Sequence, residues 1–267
     1  MINEKIFLHQ SRDDVYLTTY VADAISQNDT RDALLVLPGG AYIDCSNRES
    51  EPIALAFAGK GMNTFVLQYS VKEKAVFPNP LVDVALAIKH IKENSKKYNI
   101  DPERIFVIGF SAGGHLAGSI ATLWDSDDIY NNCDIPKGMA KPRGAILGYP
   151  VISGGKFAHF GSFKTLLGKE DPTEEELKKY SLEHCVSEKT VPCFMFHTSG
   201  DEAVPAENSL LFAASLSKYN IPYELHIYPN GWHGISLATP FVYDNSPNCM
   251  PEAQGWVDLA FAWMQRN

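Results

Sequence analysis

Strand-like and helix-like segments alternate regularly along this chain from about residue 33 onward. Short apolar runs of strand length recur between longer stretches whose apolar residues follow helical spacing. Such alternation is typical of a mostly parallel sheet covered by helices on both faces. The predicted strands of this part are 33–37, 64–69, 104–108, 144–147, 192–197 and 223–228.

Helical patterns and an opening hairpin complete the predicted fold. Two strand-like segments, 5–9 and 15–21, precede the alternation and predict an antiparallel pair at the start of the sheet. The expected class is therefore α/β, with about eight mostly parallel strands and helices on both faces. The predicted helices are 51–58, 81–98, 112–123, 206–219 and 253–264.

Residues 150–190 do not follow the alternation. This stretch is rich in Gly, Phe, His and charged residues, and it has one short helical pattern near 174–180. An insertion of this length between two strands is usually functional. We therefore expect a single domain over 1–267, in which 150–190 covers the strand ends where ligands bind, with 239–254 as further covering material.

The strongest chemical signal is the segment Gly109-Phe110-Ser111-Ala112-Gly113, which matches the pattern G-x-S-x-G. A predicted strand precedes this segment and a predicted helix follows it, as a nucleophile on a sharp strand-to-helix turn requires. Side chains two positions either side of the serine would collide in such a turn, so both positions are glycine. Ser111 is therefore the predicted nucleophile, and a glycine-rich turn used only for packing is the alternative.

A serine hydroxyl is too weak an acid to attack alone, so a base and an orienting acid are needed. On an α/β sheet of this kind they follow the serine in the order acid, then histidine. Asp201 comes directly after the predicted strand 192–197, and His233 comes after 223–228. Both thus lie at carboxyl ends of strands, where α/β sites are built. We predict that they are the acid and the base; turn-forming roles are the alternative.

Neighbouring candidates fit these roles less well. Glu202 adjoins Asp201 but points elsewhere if Asp201 faces the histidine. His197 lies within a predicted strand, which is typical of a core or edge histidine, and His115 lies on the helix after the nucleophile.

The segment PGGAY at 38–42 follows the first strand of the alternation. A loop at this place can offer backbone N–H groups to an oxyanion, and its glycines let the backbone approach the substrate. The predicted donors are the N–H groups of Gly40, Ala41 and Ala112. A plain Gly-Gly turn at the end of a strand is the alternative.

Together these segments resemble the α/β-hydrolases that carry a PGGGY or HGGG oxyanion motif. The chain is most similar to the acetylxylan esterase-like group of carbohydrate esterases, over roughly 34–264. The resemblance implies removal of short acyl groups, acetyl above all, from sugar hydroxyls, with Ser111, Asp201 and His233 as the triad. The segments that carry the resemblance are LPGGAY, DPERIFVIGFSAGGHLA, ILGYPVI, TSGDEAVP and GWHG, in matching order.

Two features depart from the pattern of these relatives. Ala41 stands where PGGGY has its third glycine, and no long N-terminal cap of the hormone-sensitive-lipase type is expected. Aromatic residues of 150–190 and 239–254 suit sugar rings, but also other apolar esters or plain packing. Among the aromatic residues near the predicted site, Tyr42 and Phe160 are the expected substrate contacts.

Composition limits the partners of the protein. The net charge of −9 argues against nucleic acid or an anionic membrane surface as a partner. Neither an N-terminal signal peptide nor a membrane span is indicated. The five scattered cysteines form no CxxC pair and are typical of reduced thiols, so we expect a cytoplasmic protein. No metal or organic cofactor is expected, and homo-oligomer formation stays open.

The expected activity is acyl transfer to water from a small-molecule ester, such as an acetylated xylo-oligosaccharide. Other hydrolases use the same residues, so a peptidase, a formamidase and a short-chain lipase remain alternatives. A non-catalytic binding protein on this fold is a further alternative, although such proteins typically lose a triad member.

Overall fold

A computed structural model describes residues 1–243 and 250–267, and within these ranges eight strands form one sheet. In space the order of the strands is β1-β2-β4-β3-β5-β6-β7-β8. Strand β2 pairs antiparallel with β1 and β4, and every other neighbouring pair is parallel. The expected α/β sheet is confirmed. The strands are β1 (Lys5–His9), β2 (Arg12–Tyr20), β3 (Arg31–Leu37), β4 (Asn63–Gln68), β5 (Ile100–Phe110), β6 (Gly144–Gly148), β7 (Cys193–Thr198) and β8 (Tyr223–Tyr228).

Helices cover both faces of this sheet. Buried residues of α1 and α8 pack on one face, and those of α2, α3 and α7 pack on the other. In the described ranges the helices are α1 (Glu51–Ala58), α2 (Asn79–Glu93), α3 (Ala112–Leu123), α4 (Asp127–Tyr130), α5 (Phe160–Leu167), α6 (Glu174–Lys179), α7 (Glu207–Lys218) and α8 (Trp256–Arg266).

The continuous apolar run of β3 shows why the sheet is buried on both sides. Successive side chains of a strand point to opposite faces. Leu34 and Val36 therefore enter the core on the side of α1 and α8, whereas Leu35 and Leu37 enter the core on the other side. All four side chains are fully buried, so the strand has no polar face.

Residues 150–190 contain more helix than their sequence pattern predicts. The expected helix near 174–180 is present as α6, and α5 is an addition. The His159 side chain caps the N-terminus of α5 by accepting a hydrogen bond from Ser162 N–H, and Gly168 ends the helix in a left-handed conformation. Histidine is not among the usual capping residues, which explains why the pattern missed the start of this helix.

None of the helices in the described ranges is long and apolar enough to cross a membrane. Four cysteines, Cys45, Cys133, Cys185 and Cys193, are free thiols. Cys249 and part of the predicted covering segment 239–254 lie outside the described residues.

Candidate active site

Ser111 lies in the sharp turn between β5 and α3 with the unusual backbone angles φ 54° and ψ −119°. A side chain at Gly109 would clash with the carbonyl oxygen of Gly113, and one at Gly113 would clash with the carbonyl oxygens of Leu37 and Pro38. The two glycines are therefore needed because backbone passes directly against backbone at both positions. The turn holds the serine above the carboxyl end of the central strand.

The tight packing of this turn gives a first prediction, on stability. We expect Gly109→Ala to lower the free energy of unfolding by more than about 3 kcal/mol, because the added methyl group meets backbone that cannot move aside. Gly59→Ala is the matched control, since Gly59 has a helical φ of −61° and its Cβ would meet only ordinary contacts at 3.5 Å. Urea unfolding measures both variants. Equal losses in the two would contradict the role given to Gly109.

The structure brings Ser111, His233 and Asp201 together in one chain of hydrogen bonds. Ser111 Oγ is 2.8 Å from His233 Nε2, and His233 Nδ1 is 2.7 Å from Asp201 Oδ2. The three residues follow β5, β8 and β7, whose carboxyl ends meet at one edge of the sheet. Asp201 is fully enclosed, whereas the His233 side chain is 25% exposed. The acid is thus shielded, and the histidine faces the open side of the site.

Hydrogen bonds keep the enclosed Asp201 ionised. Burial opposes the charged form, but contacts from His197 and His233 outweigh it and hold the pKa of Asp201 well below its usual range. Asp201 Oδ1 also accepts the N–H groups of Ala203 and Val204, at 3.1 and 2.8 Å. A carboxylate held in this way can orient His233 and stabilise its charged form.

His197 contacts the carboxylate of Asp201 from the core of the protein. Its side chain is fully buried in β7, as expected of a core histidine, and its Nε2 lies 2.9 Å from Val204 O and 3.4 Å from Asp201 Oδ2. Because a carbonyl oxygen only accepts, Nε2 carries the proton, and Nδ1 accepts from Ser209 Oγ at 2.8 Å. Sequence reasoning placed His197 correctly in the core but missed its contact with Asp201.

The predicted oxyanion loop, residues 38–42, has three consecutive residues with positive φ. The angles are 130° at Gly40, 55° at Ala41 and 60° at Tyr42. Within the described part of the chain, the N–H groups of Gly40, Ala41 and Ala112 have no hydrogen-bond acceptor. Unused N–H groups in a sharply turned backbone are suited to an anion. Ala41 adopts the left-handed conformation that glycine would adopt with less strain.

A buried carboxylate lies behind the oxyanion loop and was missed by sequence reasoning. Glu49 is 4% exposed; its Oε2 accepts the N–H of Gly39 at 2.8 Å and its Oε1 accepts the hydroxyl of Tyr149 at 2.6 Å. Burial raises the pKa of Glu49, although these two hydrogen bonds and the charges of His233 and Arg48 oppose the shift.

The two expected substrate contacts differ in exposure. Phe160 is 54% exposed at the start of α5, where a ligand can reach it. Tyr42 is only 1% exposed, and its hydroxyl lies 2.9 Å from His115 Nδ1. This geometry gives no support to a direct substrate contact by Tyr42, because the ring packs below the loop against Tyr69 and His115.

His115 gives a second prediction, on pH and stability. Burial lowers the pKa of His115 to about 4, although the hydrogen bond from Nε2 to Tyr180 O opposes the shift. Between pH 6.5 and 4 the unfolded chain binds a proton at this residue that the folded chain does not bind. Stability should therefore fall as pH falls through this range, by up to about 3 kcal/mol from His115 alone.

The check on this prediction is urea unfolding from pH 7 to pH 4. His115→Gln removes the titrating group, so its free energy of unfolding should depend less steeply on pH than that of the unmodified protein. Parallel curves for the two proteins would contradict the prediction.

No cluster of three or more His, Cys, Asp or Glu side chains in the described ranges is placed to hold a metal ion. The groups that are present are a serine hydroxyl, an imidazole, an enclosed carboxylate and a set of unused N–H donors. Such an arrangement can attack a carbonyl carbon and stabilise the negative charge that develops on its oxygen.

The strand order and the position of the serine turn after β5 place this protein in the α/β-hydrolase class. Within that class the chain belongs to the BD-FAE family, whose profile matches residues 20–216. The matched part includes Ser111, Asp201 and the oxyanion loop.

Two named relatives align with most of this chain. The chain is 43% identical to endo-1,4-beta-xylanase B of Butyrivibrio fibrisolvens over 78% of its length and 33% of the relative's. It is 29% identical to the acetylxylan esterase of Xylanibacter ruminicola, over 82% of its own length and 44% of the relative's. The chain therefore spans a third to less than half of these two proteins.

A solved structure covers almost the whole chain. The acetyl ester-xyloside bifunctional hydrolase from Caldicellulosiruptor lactoaceticus superposes with a TM-score of 0.85 at 39% identity. The match covers 98% of this chain and 96% of that chain.

Proposed function

We propose that this protein is a serine esterase that removes short acyl groups, acetyl above all, from the hydroxyls of small xylo-oligosaccharides. The observation that carries the proposal is the unbroken hydrogen-bond chain Ser111–His233–Asp201, with distances of 2.8 and 2.7 Å. These are the contacts by which a base activates a serine and an acid orients the base.

The first half of the proposed reaction forms an acyl-enzyme. His233 Nε2 takes the proton of Ser111 as Oγ attacks the ester carbonyl, and Asp201 stabilises the resulting imidazolium. The tetrahedral intermediate then collapses: the bond to the sugar oxygen breaks, and His233 returns the proton to that oxygen. The sugar leaves as a free alcohol, and the acyl group stays on Ser111.

The second half uses the same residues in the same order. His233 takes a proton from water, whose oxygen attacks the acyl carbon and displaces Ser111 Oγ. The proton returns to Ser111 as the carboxylic acid departs. In both halves the N–H groups of Gly40, Ala41 and Ala112 are the proposed donors to the oxyanion. Each such donor is typically worth about 3 kcal/mol of transition-state stabilisation.

The names of two relatives support a short acyl group on a sugar. One relative is an acetylxylan esterase, and the other is an acetyl ester-xyloside bifunctional hydrolase. Both names describe acetyl esters of xylan or xylosides, which is the substrate class proposed here.

Residues 150–190 are the proposed cover of the site. Tyr180 O in this stretch accepts a hydrogen bond from His115, one turn beyond Ser111. The charges of His233 and Asp201 both act on His159, whose pKa is lowered chiefly by burial. The exposed ring of Phe160 adjoins His159 and is the proposed platform for a sugar ring.

The experiment that tests the proposed function is hydrolysis of p-nitrophenyl esters from acetyl to octanoyl, with Ser111→Ala as the blank. Rates that are highest for acetyl and depend on Ser111 would support it, and acetate release from acetylated xylo-oligosaccharides would establish the sugar substrate. A preference for long acyl chains would overturn the acyl assignment. Turnover of amides and formamides in place of esters would favour the peptidase or formamidase alternatives.

A further inference from the structure

A buried pair, Glu49 and Tyr149, connects the two loops on which the proposed chemistry depends. We infer that Glu49 and Tyr149 are positioning residues that lock the oxyanion loop to the histidine loop, residues 229–236, and thereby set the geometry of acyl transfer. The inference rests on the proposed function.

The Glu49 end of the pair holds the oxyanion loop. Its carboxylate accepts a hydrogen bond from the N–H of Gly39 at 2.8 Å. Gly39 directly precedes the proposed donors Gly40 and Ala41. This hydrogen bond directs the N–H of Gly39 into the protein interior. The N–H groups of Gly40 and Ala41 have no acceptor among the described residues. A loop that is pinned in this way presents its donors before the substrate arrives, which is the condition for effective oxyanion stabilisation.

The Tyr149 end of the pair holds the histidine loop in two ways. The hydroxyl of Tyr149 accepts the N–H of Ser236 at 2.9 Å, three residues beyond His233. The ring also packs edge-to-face against the His233 imidazole, with centroids 5.3 Å apart and an interplanar angle of 76°. One tyrosine therefore limits both the path of the loop and the rotation of the base.

The donors around Glu49 require an acceptor at both carboxylate oxygens. Gly39 N–H can only donate, and the Tyr149 hydroxyl already accepts from Ser236 and so donates to Glu49. The ionised form satisfies both contacts, and it lies close enough to the proposed base for the charge of His233 to act on the pKa of Glu49. Glu49 forms no salt bridge with another described residue. A buried carboxylate held in this way is expensive to keep, which points to function rather than stability.

The test measures kcat and KM on p-nitrophenyl acetate for Glu49→Gln, Tyr149→Phe and the double variant. Each single change is expected to lower kcat at least about tenfold with KM within about threefold, because it loosens geometry that matters most in the transition state. If the two residues act as one unit, the double variant should lose about as much as the worse single variant, since coupled effects do not multiply.

Matched controls separate positioning from general stability. Asp32→Asn removes a carboxylate near the amino end of β3, away from the proposed site at the carboxyl ends of the strands. This carboxylate accepts two hydrogen bonds from Arg104. Tyr98→Phe removes the hydroxyl of a buried tyrosine that bonds to His90. Both controls should lower the melting temperature as much as the test variants do, but leave kcat within about twofold.

Four outcomes would overturn the inference. They are a kcat within twofold of the unmodified protein in either folded single variant, a change confined to KM, an equal loss of kcat in the controls, or fold-losses that multiply in the double variant. If Glu49→Gln does not fold, Tyr149→Phe decides, because it removes only one oxygen atom. Ser111→Ala is measured alongside these variants. If Ser111→Ala retains activity, the proposed function itself is contradicted. If Ser111→Ala is inactive but Glu49→Gln is fully active, only this inference is contradicted.

Discussion

Replacing Ser111 by alanine is expected to lower kcat on p-nitrophenyl acetate by about 10⁵-fold, because the atom that forms the acyl-enzyme is lost. The residual rate would come from the oxyanion donors and from substrate binding alone. The change should cost little stability, since His233, which is partly exposed, is the only described residue to which Ser111 Oγ hydrogen-bonds. The loss should therefore appear in a protein with an unchanged melting curve.

Ser119→Ala is the control for this prediction. Ser119 is also a buried serine, on helix α3 that begins directly after Ser111, and its hydroxyl donates to His115 O at 2.8 Å. Its loss should leave kcat nearly unchanged. A Ser111→Ala protein with more than a few per cent of the original rate, measured on a preparation free of contaminating esterase, would rule out Ser111 as the nucleophile.

Asp201→Asn is expected to lower kcat by about 10⁴-fold while the fold is kept. The amide oxygen of asparagine can still accept from Ala203 and Val204 N–H, so its NH₂ group must face His233. An NH₂ group there requires a lone pair on His233 Nδ1, which moves the ring proton to Nε2. A protonated Nε2 cannot take the proton of Ser111, and the base is lost.

Glu202→Gln is the matched control on the same loop. Glu202 is exposed, whereas Asp201 is buried and bonded to His233. The Glu202 change should leave kcat and its pH dependence as they are. Equal losses in the two variants, or a large loss only in Glu202→Gln, would transfer the role of the acid to Glu202 and contradict the present assignment.

The α/β class and the closeness of Ser111, Asp201 and His233 could be predicted from the sequence. Local rules are enough for these features. Strands and helices leave periodic apolar patterns, and a serine on a strained turn requires glycines at fixed positions around it. Asp201 and His233 could be placed because each directly follows a strand, and parallel strands end at one edge of the sheet.

The residues that support these three side chains, and those that lie buried below them, became apparent only in the folded protein. Glu49 and Tyr149 are 100 positions apart and bond through their side chains, and no local pattern marks such a pair. His197 was correctly expected in the core, but its contact with Asp201 depends on how the following loop turns back. Tyr42 adjoins the oxyanion donors in sequence, yet the left-handed turn of its backbone directs the ring inward.

The features that the sequence predicts and those that it does not predict differ in how far apart along the chain the interacting residues lie. Backbone strain, strand periodicity and helix formation depend on residues a few positions apart. Short segments of sequence are therefore enough to predict them. Burial and hydrogen bonding of polar side chains depend on what the folded chain brings alongside, which here means contacts between loops at the ends of β3, β6, β7 and β8. The closeness of Ser111, Asp201 and His233 could therefore be predicted from the sequence, whereas the contacts that support them could not.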